Sequence, residues 1–164
     1  MDISAESTLT VFAWGNASRG DDAIGPLLAK RLRSAGAQGL NVIEDHQLNI
    51  EHVSDLDSNA AALFIDASVD IAEGCRLQRI GPSRDGNFST HAISPEALLN
   101  VFERATGRPA PESWLLHVAA RDFELGAPPG AVAHAAIDAA NQFLQDLLAT
   151  PAGQRRRLLR QAGS

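Results

Sequence analysis

Two adjacent carboxylates, Asp21 and Asp22, stand between a short apolar run and a helical pattern. Negative charge is favoured in the first turn of a helix, so either residue can act as a structural helix cap. The alternative is a chemical role, because two carboxylates in one loop repel phosphate and attract a cation. The pair therefore predicts either a capped helix or a site for a positively charged group.

The residues ahead of this pair do not form a common phosphate-binding loop. The segment 15–20 reads Gly-Asn-Ala-Ser-Arg-Gly. It has neither the G-x-G-x-x-G spacing of a dinucleotide-binding loop nor the Lys-Ser or Lys-Thr pair of a P-loop. A nucleotide-binding α/β domain is therefore disfavoured. The net charge of -6 also argues against a nucleic-acid partner, whose binding requires a clustered positive surface.

A third carboxylate, Asp66, lies at the end of the apolar segment 60–67. A near-continuous apolar run is typical of a central parallel strand that is covered on both faces. Ligands of open α/β sheets bind beyond the carboxyl ends of the strands, so Asp66 is a candidate site residue, with a turn cap as the structural alternative. Because the loop that carries Asp22 opens on the same edge, we expect Asp22 and Asp66 to face each other.

The sequence predicts different environments for two histidines. His91 precedes a helix that Ser94 caps and Pro95 begins. It either hydrogen-bonds the backbone at this helix entrance or joins the site, since the loop 81–90 can span about 33 Å when extended. His117 is the one polar side chain of an apolar strand, and we expect it to be a core histidine with satisfied hydrogen bonds.

Strands and helices alternate along most of the chain. The patterns predict strands at 9–12, 40–44, 60–67, 75–80 and 114–120, and helices beginning near 24, 50, 95 and 132. The segment 68–74 is too short for a crossover helix, so the fourth strand is expected to run antiparallel at an edge. The predicted fold is a three-layer α/β/α sandwich with a mostly parallel sheet of about five strands and one antiparallel edge strand.

Length and composition favour one domain over residues 1–150. The chain has 164 residues, of which 45% are hydrophobic and 21% charged. Residues 151–164 are a basic tail that we expect to be frayed or solvated, with a partner-binding extension as the alternative. Cys75 is the single cysteine, and no signal peptide or membrane-spanning run is evident. We therefore expect a cytoplasmic protein without a membrane partner.

The string 15–25, Gly-Asn-Ala-Ser-Arg-Gly-Asp-Asp-Ala-Ile-Gly, resembles the signature G-N-x-x-x-x-D-[DE]-x-x-G of the hydrogenase maturation proteases. These endopeptidases remove the C-terminal extension of the large subunit of nickel-iron hydrogenases after nickel has been inserted. Gln-Leu-Asn-Ile-Glu at 47–51 and Thr90-His91 ahead of a helix match further family patterns. The resemblance spans nearly the whole chain, and it favours His91 as a site residue.

The resemblance implies a site for nickel that the substrate supplies. Asp22, Asp66 and His91 match the positions taken to engage nickel held by cysteine thiolates of the large-subunit precursor, and such oxygen and nitrogen ligands suit nickel or zinc. No tightly bound organic cofactor is expected. Catalysis would be aspartyl-type or metal-assisted, with Asp22 at the reacting centre and Asp21 as candidate general base. Asn16 would orient Asp22 or donate to the developing oxyanion.

A second function remains open. The chain has no evident Ser-His-Asp arrangement, no H-E-x-x-H helix and no recognisable Cys-His pair. Without a self-evident nucleophile, it also fits a non-catalytic nickel-sensing or chaperone-like binder of the same precursor. Both hypotheses name the nickel-iron hydrogenase large-subunit precursor as partner.

Overall fold

A mixed β-sheet forms the centre of the computed structural model, which describes residues 8–84 and 92–163. Its strands are β1 (Leu9–Trp14), β2 (Leu40–Asp45), β3 (Ala61–Ser68), β4 (Cys75–Ile80) and β5 (Ser113–Ala119). They lie in the order β2-β1-β3-β5-β4. All neighbouring pairs are parallel except β4 with β5. The predicted mostly parallel sheet with one antiparallel edge strand is confirmed.

Helices cover both faces of this sheet. They are α1 (Ile24–Ala35), α2 (Pro95–Thr106), α3 (Ala131–Ala149) and α4 (Ala152–Ala162), with 3-10 turns at Gly20–Ala23 and Ile50–Asp55. Helices α1 and α3 share one apolar core with the sheet, and α2 shares the other. The predicted α/β/α sandwich is therefore confirmed. No helix among the described residues is long and apolar enough to cross a membrane.

The two cores follow from side-chain alternation along the central strands. Val11 and Leu63 face α1 and α3, whereas Phe12 and Phe64 face α2. The rings of Phe12 and Phe64 stack with centroids 4.8 Å apart. Because successive residues of a strand point to opposite faces, a strand covered on both sides must be apolar at every position. This requirement explains why β1 and β3 are apolar at most positions.

The predicted start of α2 is confirmed. Ser94 is the N-cap, and its hydroxyl oxygen accepts the backbone N–H of Ala97 at 3.2 Å. Pro95 occupies the first turn, where its missing N–H leaves no intrahelical bond unmade. Ser94 and Pro95 thus fix the N-terminus of α2, which is the end nearest the carboxyl ends of the parallel strands.

The basic tail is helical and docked, contrary to the expected frayed end. Arg155 is only 5% exposed, and its guanidinium donates to the backbone carbonyl oxygens of Gln38 and Thr150. Arg160 donates to both carboxylate oxygens of Glu112, at 2.6 and 2.7 Å. Leu159, one turn after Arg155, is fully buried. The sequence did not predict this docking, because Gln38 and Glu112, which accept hydrogen bonds from the arginines, lie far away in the chain.

Replacing Leu159 with alanine tests whether the docked helix contributes to stability. We expect Leu159→Ala to lower the free energy of unfolding by about 2 to 4 kcal/mol, because it removes buried apolar area and leaves a cavity. Urea denaturation measures this difference. Arg157→Ala, at an exposed position of the same helix, should change it by less than about 0.5 kcal/mol. Equal stability of the two variants would contradict a docked α4.

Candidate functional site

The loop between β1 and α1 is shaped by close backbone approaches. Gly15 has φ 145°, and a Cβ atom there would overlap the backbone oxygen of Asp22. Gly25 lies against β1, and a Cβ atom there would overlap the carbonyl oxygen of Trp14. Glycine at both positions therefore allows the strand, the loop and the helix to pack together. This packing gives the physical reason for the glycines at the two ends of the string 15–25.

Asp22 is half-buried in this loop, and one of its carboxylate oxygens accepts a backbone hydrogen bond. Its Oδ2 atom accepts the backbone N–H of Asn16 at 2.8 Å. The side-chain oxygen of Asn16 accepts the backbone N–H of Ser18 at 2.9 Å, so it stabilises the turn itself. Asn16 thus orients Asp22 through its backbone. The oxyanion role of the Asn16 side chain remains a prediction.

Asp21 points the other way and is fully buried, with 0% of its surface exposed. Its Oδ2 atom accepts the backbone N–H groups of Arg121 and Asp122 at 2.7 and 3.0 Å, and its Oδ1 atom accepts that of Gly130 at 2.8 Å. Burial alone would raise the pKa of Asp21, but these hydrogen bonds, together with the charge of His134, outweigh it and lower the pKa. We call this arrangement the Asp21 clamp. Because Asp21 is fully buried and its charge is already used by three backbone donors, the geometry supports a structural role.

Further backbone contacts strengthen the connection between the loops after β1 and β5. The N–H of Asp21 donates to the carbonyl of Asp122 at 2.8 Å, and that of Gly20 donates to the carbonyl of Ala127 at 3.0 Å. In the other direction, the N–H of Gly126 donates to the carbonyl of Ser18 at 2.7 Å. The loop that carries Asp22 is therefore fixed to a second loop at the same edge of the sheet.

Asp66 lies near the end of β3, half-buried, close to other carboxylates. Burial, together with the smaller effects of the charges of Asp22, Asp70 and Glu96, raises the pKa of Asp66 to about 6. The charge of Asp22 reaches Asp66 because the two lie at the same edge of the sheet. The structure thus brings together the two carboxylates that the sequence placed at this edge.

Solved structures with the same architecture are hydrogenase maturation proteases. The NiFe hydrogenase maturation protease HycI from Thermococcus kodakarensis KOD1 matches 88% of this chain and 94% of its own, at 18% identity and TM-score 0.68. The hydrogenase maturating endopeptidase HybD from E. coli matches 87% of this chain and 92% of its own, at 18% identity and TM-score 0.64. The endopeptidase HycI from Escherichia coli matches 89% of this chain and 94% of its own, at 19% identity and TM-score 0.63.

The chain has the maturation-protease fold. Identities of this size establish the fold, and the chemistry must be argued from the residues. No protein-family model and no curated protein sequence matches the chain significantly. Within the maturation-protease fold of this chain, the string 15–25 connects β1 to α1, and Asp22 and Asp66 lie at the carboxyl ends of parallel strands. This is the edge at which open α/β sheets bind ligands.

The predicted ligand set of Asp22, Asp66 and His91 has one member outside the described residues, because His91 lies in the segment 85–91. Within residues 8–84 and 92–163, no three His, Cys, Asp or Glu side chains form a group that could hold a metal ion. The metal-binding role of the three residues therefore remains a prediction. The described part of this maturation-protease fold contributes two neighbouring carboxylates to it.

Sequence reasoning missed His117 as a neighbour of the site. His117 is the register partner of Asp66 across β3 and β5. Its Nε2 atom lies 2.8 Å from Oε1 of Gln78, but its Nδ1 atom is buried and has no hydrogen-bond partner among the described residues. The expectation of a fully satisfied core histidine is therefore wrong. A lone polar side chain near the end of an apolar strand was the signal in the sequence.

Removing the charge of Asp66 is expected to stabilise the protein at neutral pH. The pKa of Asp66 is about 6 in the folded state against an ordinary value of 3.8, so the folded state binds more protons and loses stability as pH rises from about 4 to about 6. Asp66→Asn should raise the free energy of unfolding by about 1 to 3 kcal/mol at pH 8. Urea denaturation at pH 4 and pH 8 measures the effect.

Asp138→Asn, on the exposed side of α3, is the matched control and should change stability little at either pH. A gain for Asp66→Asn that is equally large at pH 4 would show that the charge of Asp66 is not its cause.

Weakening the Asp21 clamp is expected to have the opposite effect. Asp21→Asn replaces one accepting oxygen with an NH2 group, which leaves at least one buried backbone N–H without an acceptor, so the free energy of unfolding should fall by about 2 to 4 kcal/mol. Because the folded pKa is lowered, the contribution of the Asp21 charge is present above the ordinary value of 3.8 and is lost as pH falls through the folded pKa. Urea denaturation between pH 3 and pH 7 should therefore show a smaller acid-dependent loss in Asp21→Asn than in the wild type.

Proposed function

We propose that the protein is an endopeptidase that removes the C-terminal extension of a nickel-iron hydrogenase large-subunit precursor. The observation that carries this proposal is the pair Asp22 and Asp66 at the carboxyl edge of a sheet with the maturation-protease fold. The string 15–25, which matches the signature of those proteases, supplies Asp22 to that pair. The substrate is thus a protein chain.

Nickel carried by the precursor is the proposed recognition element. Burial and, after it, repulsion by the charge of Asp22 raise the pKa of Asp66. A divalent cation between them removes the repulsion, and carboxylate oxygens together with an imidazole suit nickel. Asp22, Asp66 and His91 are the proposed contacts. The ion is proposed to arrive with the precursor, whose cysteine thiolates hold it.

Three aspartates then have separate roles in the proposed reaction. Asp22, oriented by the N–H of Asn16, contacts the ion or the attacking water. Asp66, at the same edge of the sheet, is the second carboxylate proposed to contact the ion. Asp21 holds the loop in place through the clamp. Nickel bound by the precursor polarises the scissile carbonyl and fixes the peptide beside the carboxylates.

A non-catalytic binder of the same precursor is the second candidate. The observation in its favour is that Asp21, the candidate general base, is buried and already accepts three backbone hydrogen bonds. A binder would recognise the nickel-loaded precursor and leave its C-terminal extension intact.

Incubation of the protein with a nickel-loaded precursor tests both candidates. The peptidase is expected to shorten the precursor by the mass of its C-terminal extension, as measured by mass spectrometry, and a binder would form a stable complex with the intact chain. Asp22→Asn and His91→Ala should reduce the cleavage rate at least about 100-fold, because each removes a contact to the reacting centre. The control Asp138→Asn should cleave at the wild-type rate.

The same assay with a nickel-free precursor tests the recognition element separately. We expect little cleavage without nickel. Equal cleavage of both precursors would refute nickel recognition and leave the peptidase activity standing, and wild-type rates for both Asp22→Asn and His91→Ala would refute the site.

A further inference from the structure

Four large apolar side chains are exposed among the described residues, and three of them lie at the edge of the sheet that carries Asp22 and Asp66. Ile50 is 49% exposed, Val69 60% and Leu125 74%. Each follows a different parallel strand: Ile50 follows β2, Val69 follows β3 and Leu125 follows β5. Single exposed apolar residues are common on protein surfaces, but three at one candidate site indicate an interaction surface. We call these three residues the apolar rim.

The backbone that carries Leu125 is fixed to the loop after β1. Leu125 forms an isolated antiparallel bridge with Arg19. The N–H of Gly126 donates to the carbonyl of Ser18 at 2.7 Å, and Nε of Arg19 donates to the carbonyl of Phe123 at 3.0 Å. These contacts hold the backbone without using the side chain of Leu125, which stays in solvent. An apolar side chain on a fixed backbone loses less conformational entropy when a partner covers it.

Val69 begins the connection from β3 to β4, and this connection is fixed to the loop after β5. The carbonyl of Ser68 accepts the N–H of Ala120 at 2.9 Å. The guanidinium of Arg121 donates to the carbonyl of Ile71 at 3.1 Å. Val69 lies between these two attachment points in the chain, so its exposed side chain stays beside the loop after β5.

Ile50 lies on the opposite side of the carboxylate pair, because β2 and β5 flank β1 and β3 in the sheet. The carbonyl of Leu48 accepts the N–H of Ile93, just ahead of α2, at 3.2 Å, and Asn49 caps the turn that Ile50 begins. Adjacent strands are about 4.8 Å apart, so the ends of β2 and β5 are separated by about 14 Å. A standard interface covers about 800 Å² of each partner, so one bound protein can cover the whole rim.

The carboxylates between the rim residues determine what kind of surface fits there. Asp70 and Glu96 add negative charge near Asp66. The complementary surface therefore carries positive charge at its centre and apolar side chains around it. Docking of such a surface excludes water from Asp22 and Asp66, and electrostatic interactions are stronger in a site without water.

We propose that the apolar rim of Ile50, Val69 and Leu125 is the docking surface for the folded large-subunit precursor. The inference rests on the proposed function, which brings the precursor to this edge of the sheet, and it names the residues that bind the precursor. The rim residues contact the surface of the precursor and no reacting atom. They therefore contribute to the affinity for the precursor and not to the chemical step.

Affinity for a nickel-free precursor tests the rim without turnover, since little cleavage is expected in the absence of nickel. Biolayer interferometry should show at least about a 10-fold weaker complex for Leu125→Ser and for Val69→Ser, because each removes apolar contact area. Leu125→Met, which keeps that area, should bind as the wild type does. Unchanged affinity of both serine variants, or no measurable binding of the wild type, overturns the proposal.

Leu27→Ser is the matched control for these variants. Leu27 is the fourth exposed apolar side chain, and it lines a groove between α1 and α3 away from the rim. The control should bind the precursor as the wild type does, and an equal loss of affinity in Leu27→Ser overturns the proposal. If Leu125→Ser fails to fold, Val69→Ser and Ile50→Ser carry the same test.

Cleavage kinetics with the nickel-loaded precursor separate docking from chemistry. Leu125→Ser should raise KM about 10-fold and leave kcat close to the wild-type value. A fall in kcat with unchanged KM contradicts a docking role. Light scattering tests a second occupant, because a wild-type dimer that Leu125→Ser converts to a monomer would show that a second copy of this chain covers the rim.

The two proposals fail in distinguishable ways. If the precursor binds through the rim but is never cleaved, the peptidase function is wrong and the docking surface stands. If the precursor is cleaved with the same KM by the wild type and the rim variants, the peptidase stands and the docking surface is wrong.

Discussion

The geometry of the site depends on one buried carboxylate that accepts backbone hydrogen bonds from a distant loop. Asp21 joins the loop after β1 to the loop after β5, two segments about a hundred residues apart in the chain. Hydrogen bonds to a charged acceptor are stronger than neutral ones, and here they also satisfy backbone donors that would otherwise be buried without partners. The position of Asp22 follows from this clamp, because Asp22 is the next residue.

Two adjacent aspartates therefore have opposite roles. Asp21 faces inward to backbone donors that stabilise its charge, whereas Asp22 faces the edge of the sheet, where Asp66 lies close by. Among the residues that the structure describes, no comparable set of donors reaches Asp66, and burial and like charges raise its pKa. Environments that move the pKa values of neighbouring carboxyl groups in opposite directions are typical of sites that do chemistry.

The edge of the sheet is stabilised less well than its core. The apolar cores on both faces are closely packed, but the edge carries a partly buried carboxylate near like charges and, in His117, an imidazole nitrogen that no described residue pairs. Both features reduce stability in the absence of a ligand. Loss of stability at the edge where open α/β sheets bind ligands is typical of a trade-off between stability and function.

The sequence by itself determined the sheet, its helices and the edge at which the carboxylates meet, because side-chain periodicity and capping residues act locally. It also identified the string 15–25, in which Gly15 and Gly25 make close approaches to the backbones of Asp22 and Trp14, nearby in the chain. Only the tertiary structure decided that Asp21 is buried while Asp22 is not, that His117 lies beside Asp66, and that the basic tail docks through Arg155 and Leu159. Each of these depends on donors, acceptors or apolar surface from distant segments, and no local pattern specifies which distant segment will supply them.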